Sequence, residues 1–170
     1  TTSSVNTSTP EINGTARSGE PITLYIDGTP TDTTAVADAA SGTFSITVPS
    51  QVDATYAISV AAPDQTGTPV ESDAINITID TTAPSTPSIT TTTDLTNNPT
   101  PTIEGTAEVG STVTLFSGDS SLGTATAGSD GVFSIISSQL PDNSYTLTVT
   151  ATDALGNESA PSNELAITID

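Results

Sequence analysis

Carboxylates and amides dominate the side chains of this sequence that could do chemistry on a ligand. Its 170 residues hold 20 Asp or Glu against one basic residue, Arg17, for a formal charge of -19, with no Cys, His, Lys, Met or Trp. Without Cys there is no disulfide, zinc-thiolate site or thiol nucleophile. Paired carboxylates can run glycoside hydrolysis. With no His, Lys or Cys and only six Phe or Tyr, however, little is available to hold a substrate, and an enzyme is not expected. The charge excludes a nucleic-acid surface and disfavours adsorption to anionic membranes. Clustered carboxylates do suit a hard cation, because calcium takes about 6–8 oxygens from carboxylates, loop carbonyls and water. Whether these carboxylates cluster depends on the elements that carry them.

Those elements read as strands. Hydrophobic residues make up 33% of the chain and fall in alternation, which argues for folded strands rather than disorder. In order, the pattern predicts strands at 11–16, 22–26, 33–37, 44–48, 56–62 and 74–79, with Asp27-Gly28 as a tight turn. Residues 1–9 are polar and expected to fray. No window shows helical spacing with caps. No apolar run reaches membrane-spanning length and no signal peptide is visible, so the sequence reads as an internal piece of a longer chain.

The second half replays the first. Glu11-Ile12-Asn13-Gly14-Thr15-Ala16 matches Thr102-Ile103-Glu104-Gly105-Thr106-Ala107, and Gly42-Thr43-Phe44-Ser45-Ile46 matches Gly131-Val132-Phe133-Ser134-Ile135. Tyr56-Ala57-Ile58-Ser59-Val60 matches Tyr145-Thr146-Leu147-Thr148-Val149, and Ile77-Thr78-Ile79-Asp80 returns as Ile167-Thr168-Ile169-Asp170. The offset stays between 89 and 91, so insertions are confined to loops. About seven short strands in each ~90 residues predict an all-β protein of two tandem Ig-like β-sandwiches, residues 1–80 and 81–170, in an elongated arrangement. The first unit has no clear counterpart of Pro87-Ser88-Ile89-Thr90, so its first strand is expected to be missing or degenerate. Tyr56 and Tyr145 open the sixth strand of each unit, either as corner tyrosines bonded back to the backbone or as ordinary core aromatics. Phe44 and Phe133 read as core.

Placing strands A to G on a sandwich sends the B–C, D–E and F–G loops to the end where the chain enters. In the second unit those loops carry Glu108, Asp130 and Asp153, and the linker brings Asp80 to the same end. Four carboxylates left unpaired there would repel one another. A calcium ion removes the conflict, with Asn157 and linker carbonyls near Thr82 as further ligands. The alternative is that Asp favours turns and each is a solvated turn residue. The first unit keeps Asp38 and Asp64 in the matching loops but has Arg17 where Glu108 stands. Arg17 is expected to pair with both aspartates in place of an ion, leaving a weak or missing metal site. The opposite end of the second unit holds Asp94 and Asp142, with Asn97, Asn98, Asp119 and Asp170, as half of a further joint. At the equivalent end of the first unit, one of Asp27, Asp32 and Asp53 is expected to reach Asp80.

Together, Asp80-Thr81-Thr82-Ala83-Pro84, Gly105-Thr106-Ala107-Glu108, Asp130-Gly131-Val132-Phe133 and Ala151-Thr152-Asp153-Ala154-Leu155-Gly156-Asn157 resemble the bacterial Ig-like repeats of giant type I-secreted adhesins and biofilm-associated proteins. The match is close over 80–170 and diluted over 9–79. The resemblance implies tandem Ig-like domains, calcium at the inter-domain joints and a stalk at the bacterial cell surface. It carries ligand roles onto Asp80, Asp130, Asp153 and Glu108. The expected partners are neighbouring repeats of the same chain, in a monomer without nucleic acid or membrane insertion, with any host ligand bound elsewhere in the full protein. A competing reading is an adhesive or glycan-binding module, which the scarcity of exposed aromatics disfavours.

Overall fold

The computed structural model describes residues 2–170, which divide into two compact units, Thr1–Thr82 and Ala83–Asp170. Both are all-β, and among the described residues there is no helix, hence none long and apolar enough to cross a membrane.

The first unit contains β1 (Thr2–Val5), β2 (Glu11–Thr15), β3 (Pro21–Ile26), β4 (Thr29–Val36), β5 (Thr43–Thr47), β6 (Ala54–Pro63), β7 (Pro69–Glu71) and β8 (Ile75–Ile79). Its larger sheet runs β1-β8-β6-β3-β4, with β7 also paired to β6, and β2 pairs with β5 in the smaller one. The second unit contains β9 (Ser88–Ile89), β10 (Leu95–Thr96), β11 (Thr102–Thr106), β12 (Thr112–Ser117), β13 (Ser120–Thr126), β14 (Val132–Ile136), β15 (Asn143–Thr152) and β16 (Leu165–Ile169). Its sheets run β10-β16-β15-β12-β13 and β14-β11-β9. These are two-sheet sandwiches of Ig-like type, and neither closes into a barrel. β4 in the first unit and β13 in the second each pair with the strand just before them, β3 or β12, and so stay on the larger sheet.

Alternation sets the faces. In β5, Phe44 and Ile46 are buried between exposed Thr43, Ser45 and Thr47, and β14 repeats this with Phe133 and Ile135. Each buried aliphatic or aromatic side chain contributes about 1.5–3 kcal/mol relative to exposure. One core gathers Ile22, Leu24, Phe44, Ile46, Val48, Ile58, Ile77 and Ile79; the other is built on Ile103, Val113, Leu115, Phe133, Leu147, Val149 and Ile167. The β3–β4 hairpin turns on Asp27 (φ 51°) and Gly28 (φ 73°), both in the left-handed region that a two-residue turn of this hand needs.

The ends of the chain differ from expectation. Residues 2–5 do not fray: β1 pairs in parallel with β8 from Thr2↔Asn76 to Val5↔Ile79. An edge strand is held by its backbone ladder, and of its side chains Val5 packs on the core, so a polar sequence suffices. β1 is the counterpart of β10, which pairs in parallel with β16. In the second unit the chain first runs through β9 on the smaller sheet before crossing to β10. Among the described residues the first unit has no counterpart of β9. The fourth strand is also longer than the alternating 33–37 segment, because its first residues complete the hairpin.

Both tyrosines make the corner contact. Tyr56 Oη donates to the Val52 carbonyl at 3.1 Å and Tyr145 Oη to the Pro141 carbonyl at 2.9 Å, each four residues upstream. Their rings also pack against the two cores, so the two readings of these residues hold together. Tyr145→Phe should cost about 1 kcal/mol in denaturant unfolding, the net worth of one hydrogen bond.

Phe44 and Phe133 lie over side-chain-less positions of the facing strand. A Cβ on Gly14 would sit 2.5 Å from Phe44 Cζ; one on Gly105 would collide with Phe133 Cζ and with the Ser88 carbonyl. Gly105→Ala should therefore cost about 1–3 kcal/mol by overpacking. Gly14→Ala should cost less, since only a ring opposes it; paired unfolding curves check the difference.

Candidate functional site

The strand registers decide which loops share an end. Thr112 sits opposite both Thr126 and Thr152, and Thr106 sits opposite Val132. Residues 107–111, 127–131 and 153–157 therefore lie at one end of the second unit, bringing the loops of Glu108, Asp130 and Asp153 together there. The incoming segment joins them, because Ser85 N–H donates to Glu108 Oε2 at 3.2 Å.

Asp153 and Asp130 first serve their own loops, whereas the Glu108 carboxylate bonds the incoming segment. Asp153 Oδ1 accepts from the N–H groups of Leu155 (2.8 Å) and Asn157 (2.9 Å), and its Oδ2 accepts from Asn157 Nδ2 at 2.8 Å. The Asn157 side chain is the largest cause holding the Asp153 carboxyl below its ordinary pKa; desolvation opposes it, and the loop N–H groups add to the lowering. Asp130 Oδ1 accepts from Val132 N–H at 3.0 Å, and the Glu108 carbonyl accepts from Ser111 Oγ at 2.7 Å. Asp153 and Asn157 are thus in direct contact. Within either unit, among the described residues, no three carboxylates come close enough to ligate one ion. The donor chemistry does fit calcium: every candidate supplies hard oxygen. A carboxylate offers about four acceptor positions, so one or two loop hydrogen bonds leave room for a cation.

At the matching end of the first unit, Asp64 repeats the pattern. Its Oδ1 accepts from Thr66 N–H (2.7 Å), Thr66 Oγ1 (2.6 Å) and Thr68 N–H (2.9 Å). Gly67 (φ 85°) and Gly156 (φ 91°) close the two loops in the left-handed region. Asp38 accepts from the N–H groups of Ala40 and Ser41 and from Ser41 Oγ. These hydrogen bonds lower both carboxyl pKa values, Ser41 N–H leading for Asp38 and the Thr66 hydroxyl for Asp64. Asp38 N–H bonds the Thr43 carbonyl as Gly128 N–H bonds that of Val132, so Asp38 stands at the position of Gly128 rather than of Asp130. Arg17 does not bridge the aspartates. Its Nη1 pairs with Glu20 Oε1 at 2.9 Å, three residues on, where the local partner is closer in chain and needs no loop rearrangement. Glu20 occupies the position of Ser111, a difference the charge pattern did not single out.

At the other end of the first unit, Asp53 bonds the two residues that follow Asp80. Asp53 Oδ1 accepts from Thr81 N–H (3.0 Å) and Thr81 Oγ1 (2.8 Å), and Oδ2 from Thr82 Oγ1 (2.6 Å). Thr82 N–H also donates to Asp80 Oδ1 at 3.1 Å, so Thr82 bonds both carboxylates. The Thr82 hydroxyl is the first cause of a lowered pKa at Asp53, followed by Thr81. Asp27 instead accepts from Ala57 N–H at 2.8 Å and extends the β3–β6 ladder. In the second unit the Asp94 carbonyl accepts from Thr168 N–H at 2.8 Å, and Asp142 follows Pro141 in the loop that receives the Tyr145 hydroxyl.

The bacterial Ig-like domain family matches the sequence twice, over residues 2–81 and 83–170. The chain belongs to that family. No curated protein sequence matches it. Among solved structures, the fibronectin(III)-like modules of Clostridium thermocellum CbhA give a TM-score of 0.62 at 14% identity, over 99% of this chain and 88% of that one. A marsupial T cell receptor gives 0.61 at 6% identity, over 98% and 70%. Both likenesses are of fold. The BSP domain of a biofilm-associated protein aligns at 24% identity over 98% of this chain and 28% of its own, with a TM-score of 0.42.

Asn163 makes a structural contact in the second domain that the carboxylate pattern missed. Its Oδ1 accepts from Ile89 N–H at 2.9 Å and its Nδ2 donates to the Ile89 carbonyl at 3.3 Å, so one amide side chain pairs with β9 as a neighbouring strand would. A single Asn in a Ser-Pro-rich loop gives no signal of this.

The lowered carboxyl pKa values of Asp38, Asp53, Asp64 and Asp153 carry a pH dependence. Their stabilisation is fully present above the unfolded-state value of about 3.9 and is lost as pH falls through the lower folded-state values. Thermal midpoints should be flat from pH 7 to 5 and drop below about pH 4. Asp53→Asn should shrink that drop, read by melts across a pH series.

Proposed function

We propose that the chain is an extender segment of a large bacterial surface adhesin, working outside the cell, and that calcium stiffens the connection between its successive Ig-like domains. The observation that carries the reading is the convergence of the Glu108, Asp130 and Asp153 loops with the incoming segment at one end of the second domain. Family membership and the resemblance to adhesin repeats support it, as does a ligand set made only of oxygen. Asp80, Glu108, Asp130, Asp153 and Asn157 are the residues assigned to hold the ion.

Calcium, when bound, supplies positive charge that cancels carboxylate repulsion. The chain's own residues do the rest. Loops closed by Asp153 and Asp130 hold their oxygens at the end of the sandwich, and Asp53 keeps Thr81 and Thr82 ordered beside Asp80. Pro84 and Pro87 bias the following segment toward extended geometry, about 3.1 Å per residue. Extracellular modules bind calcium with Kd of about 10⁻⁴–10⁻³ M, which suits a switch that stays open during export and closes outside the cell.

Melts in chelator and in excess calcium test this. Wild type should gain about 2.7 kcal/mol at a hundredfold excess over Kd. Asp130→Asn removes one carboxylate charge while touching one loop hydrogen bond, so it should keep its chelator midpoint and lose most of the gain. Small-angle scattering should show a narrower spread of conformations with calcium. A wild-type melt indifferent to calcium would overturn the metal role.

A further inference from the structure

The outward face of the larger sheet in the second domain is built from hydroxyls. Thr112 stands between Thr126 and Thr152, and Thr114 between Thr124 and Thr150, so the registers of β12, β13 and β15 set six threonines in two rows. Their neighbours Val113, Leu115, Val149 and Ala151 are buried in the domain, which turns the threonines of β12 and β15 outward. Within a row the strands stand about 4.8 Å apart, and the rows are about 6.8 Å apart. Phe116 with Thr148 is the next outward pair, followed on β15 and β16 by Thr146 with Ala166 and Ser144 with Thr168. β12, β13 and β15 carry no charged residue, in a chain of net charge -19.

This face runs into a hollow of about 420 Å³ lined by Asp94, Ser144, Thr146, Ala166 and Thr168, among others. The Ser144 and Thr168 hydroxyls bond each other at 3.0 Å. β10 pairs only with Thr168 and Ile169 of β16, and Thr168 N–H donates to the Asp94 carbonyl. Two residues back, Ala166 turns its own N–H and C=O to the same edge, where β10 does not reach. The hollow thus gathers hydroxyls, a carboxylate and one rung of open backbone.

The first domain shows that the fold does not demand this arrangement. There β1 fills the matching rung, with Thr2 opposite Asn76. Ala57, Ala61 and Pro63 stand where Thr146, Thr150 and Thr152 do, and Glu71 pairs beside Ala61.

We propose that this face of the second domain binds a neutral polysaccharide chain, with one sugar seated in the hollow. A threonine or serine hydroxyl both donates and accepts, as each sugar hydroxyl does, and the Asp94 carboxylate accepts from two adjacent sugar hydroxyls. The half-buried Phe116 ring and the threonine methyls offer apolar surface to the C–H faces of the rings. Charge selects the class of polymer. The only basic side chain, Arg17, belongs to the first domain, so an anionic polymer meets repulsion and nothing that neutralises it.

Affinity electrophoresis of the full chain in chelator, in gels cast with dextran, hydroxyethylcellulose, galactomannan or alginate, tests this. At least one of the neutral polymers should retard the chain, and alginate should not. Ala166→Glu sets a charged side chain over the hollow at an exposed position and should abolish the retardation. Asn76→Glu, the same substitution at the matching exposed position of the first domain, should leave it intact. No retardation in any neutral gel, retardation in alginate alone, or an equal response of the two variants would overturn the proposal. So would a wild-type dimer in sedimentation that Ala166→Glu dissociates, which would make a second copy of the chain the occupant. Chelator removes calcium from every arm, so the outcome is read apart from the metal role.

Discussion

Each domain depends on one close approach across its smaller sheet, the tip of a phenylalanine ring set against a glycine. With three Phe and three Tyr in the whole chain, the centre of each sandwich is filled by a single large ring, Phe44 or Phe133, surrounded by Ile, Leu and Val. The ring reaches that centre only because Gly14 or Gly105 leaves the space empty. This contact fixes β2 against β5 and β11 against β14, and from those registers follow the loop positions at both ends. The corner tyrosines then tie the β5–β6 and β14–β15 loops back onto the same cores.

The repeat was fully legible in the sequence, because period-two alternation and matched Gly, Phe and Tyr positions both survive in the amino-acid string. β1 was not legible, since its stability comes from a backbone ladder to β8 and a single apolar residue, Val5, and backbone pairing leaves no composition signature. The candidate site divides in the same way. Strand order was enough to send Glu108, Asp130 and Asp153 to one end. What Asp130 and Asp153 do there depends on atoms two to four residues away: the Asp153 loop satisfies its aspartate with N–H groups and an amide, a geometry that an Asp-x-x-Gly-Asn string shares with an exposed turn. Arg17 shows the same limit. Its charge suggested distant aspartates, and Glu20, three residues away, claimed it.

Acidic side chains in these domains are therefore structural before they are anything else. Asp27 completes a ladder, Asp53 fixes an outgoing segment, and Asp38, Asp64 and Asp153 close loops by collecting N–H groups that a short turn leaves without strand partners. A chain with almost no basic residues can carry so many carboxylates because backbone amides, rather than cations, are their main internal partners.

The parallel pairing of β1 with β8, and of β10 with β16, has a mechanical meaning. In each domain an early and the final strand lie side by side and point the same way, so the chain enters at one end and leaves at the other. A pull on the two ends slides these strands along each other and loads their hydrogen bonds together, in shear, instead of opening them one at a time like a zipper. Four residue pairs share that load in the first domain and two in the second. The seam that carries tension is thus built into the order of strands, before any ligand or neighbouring domain contributes.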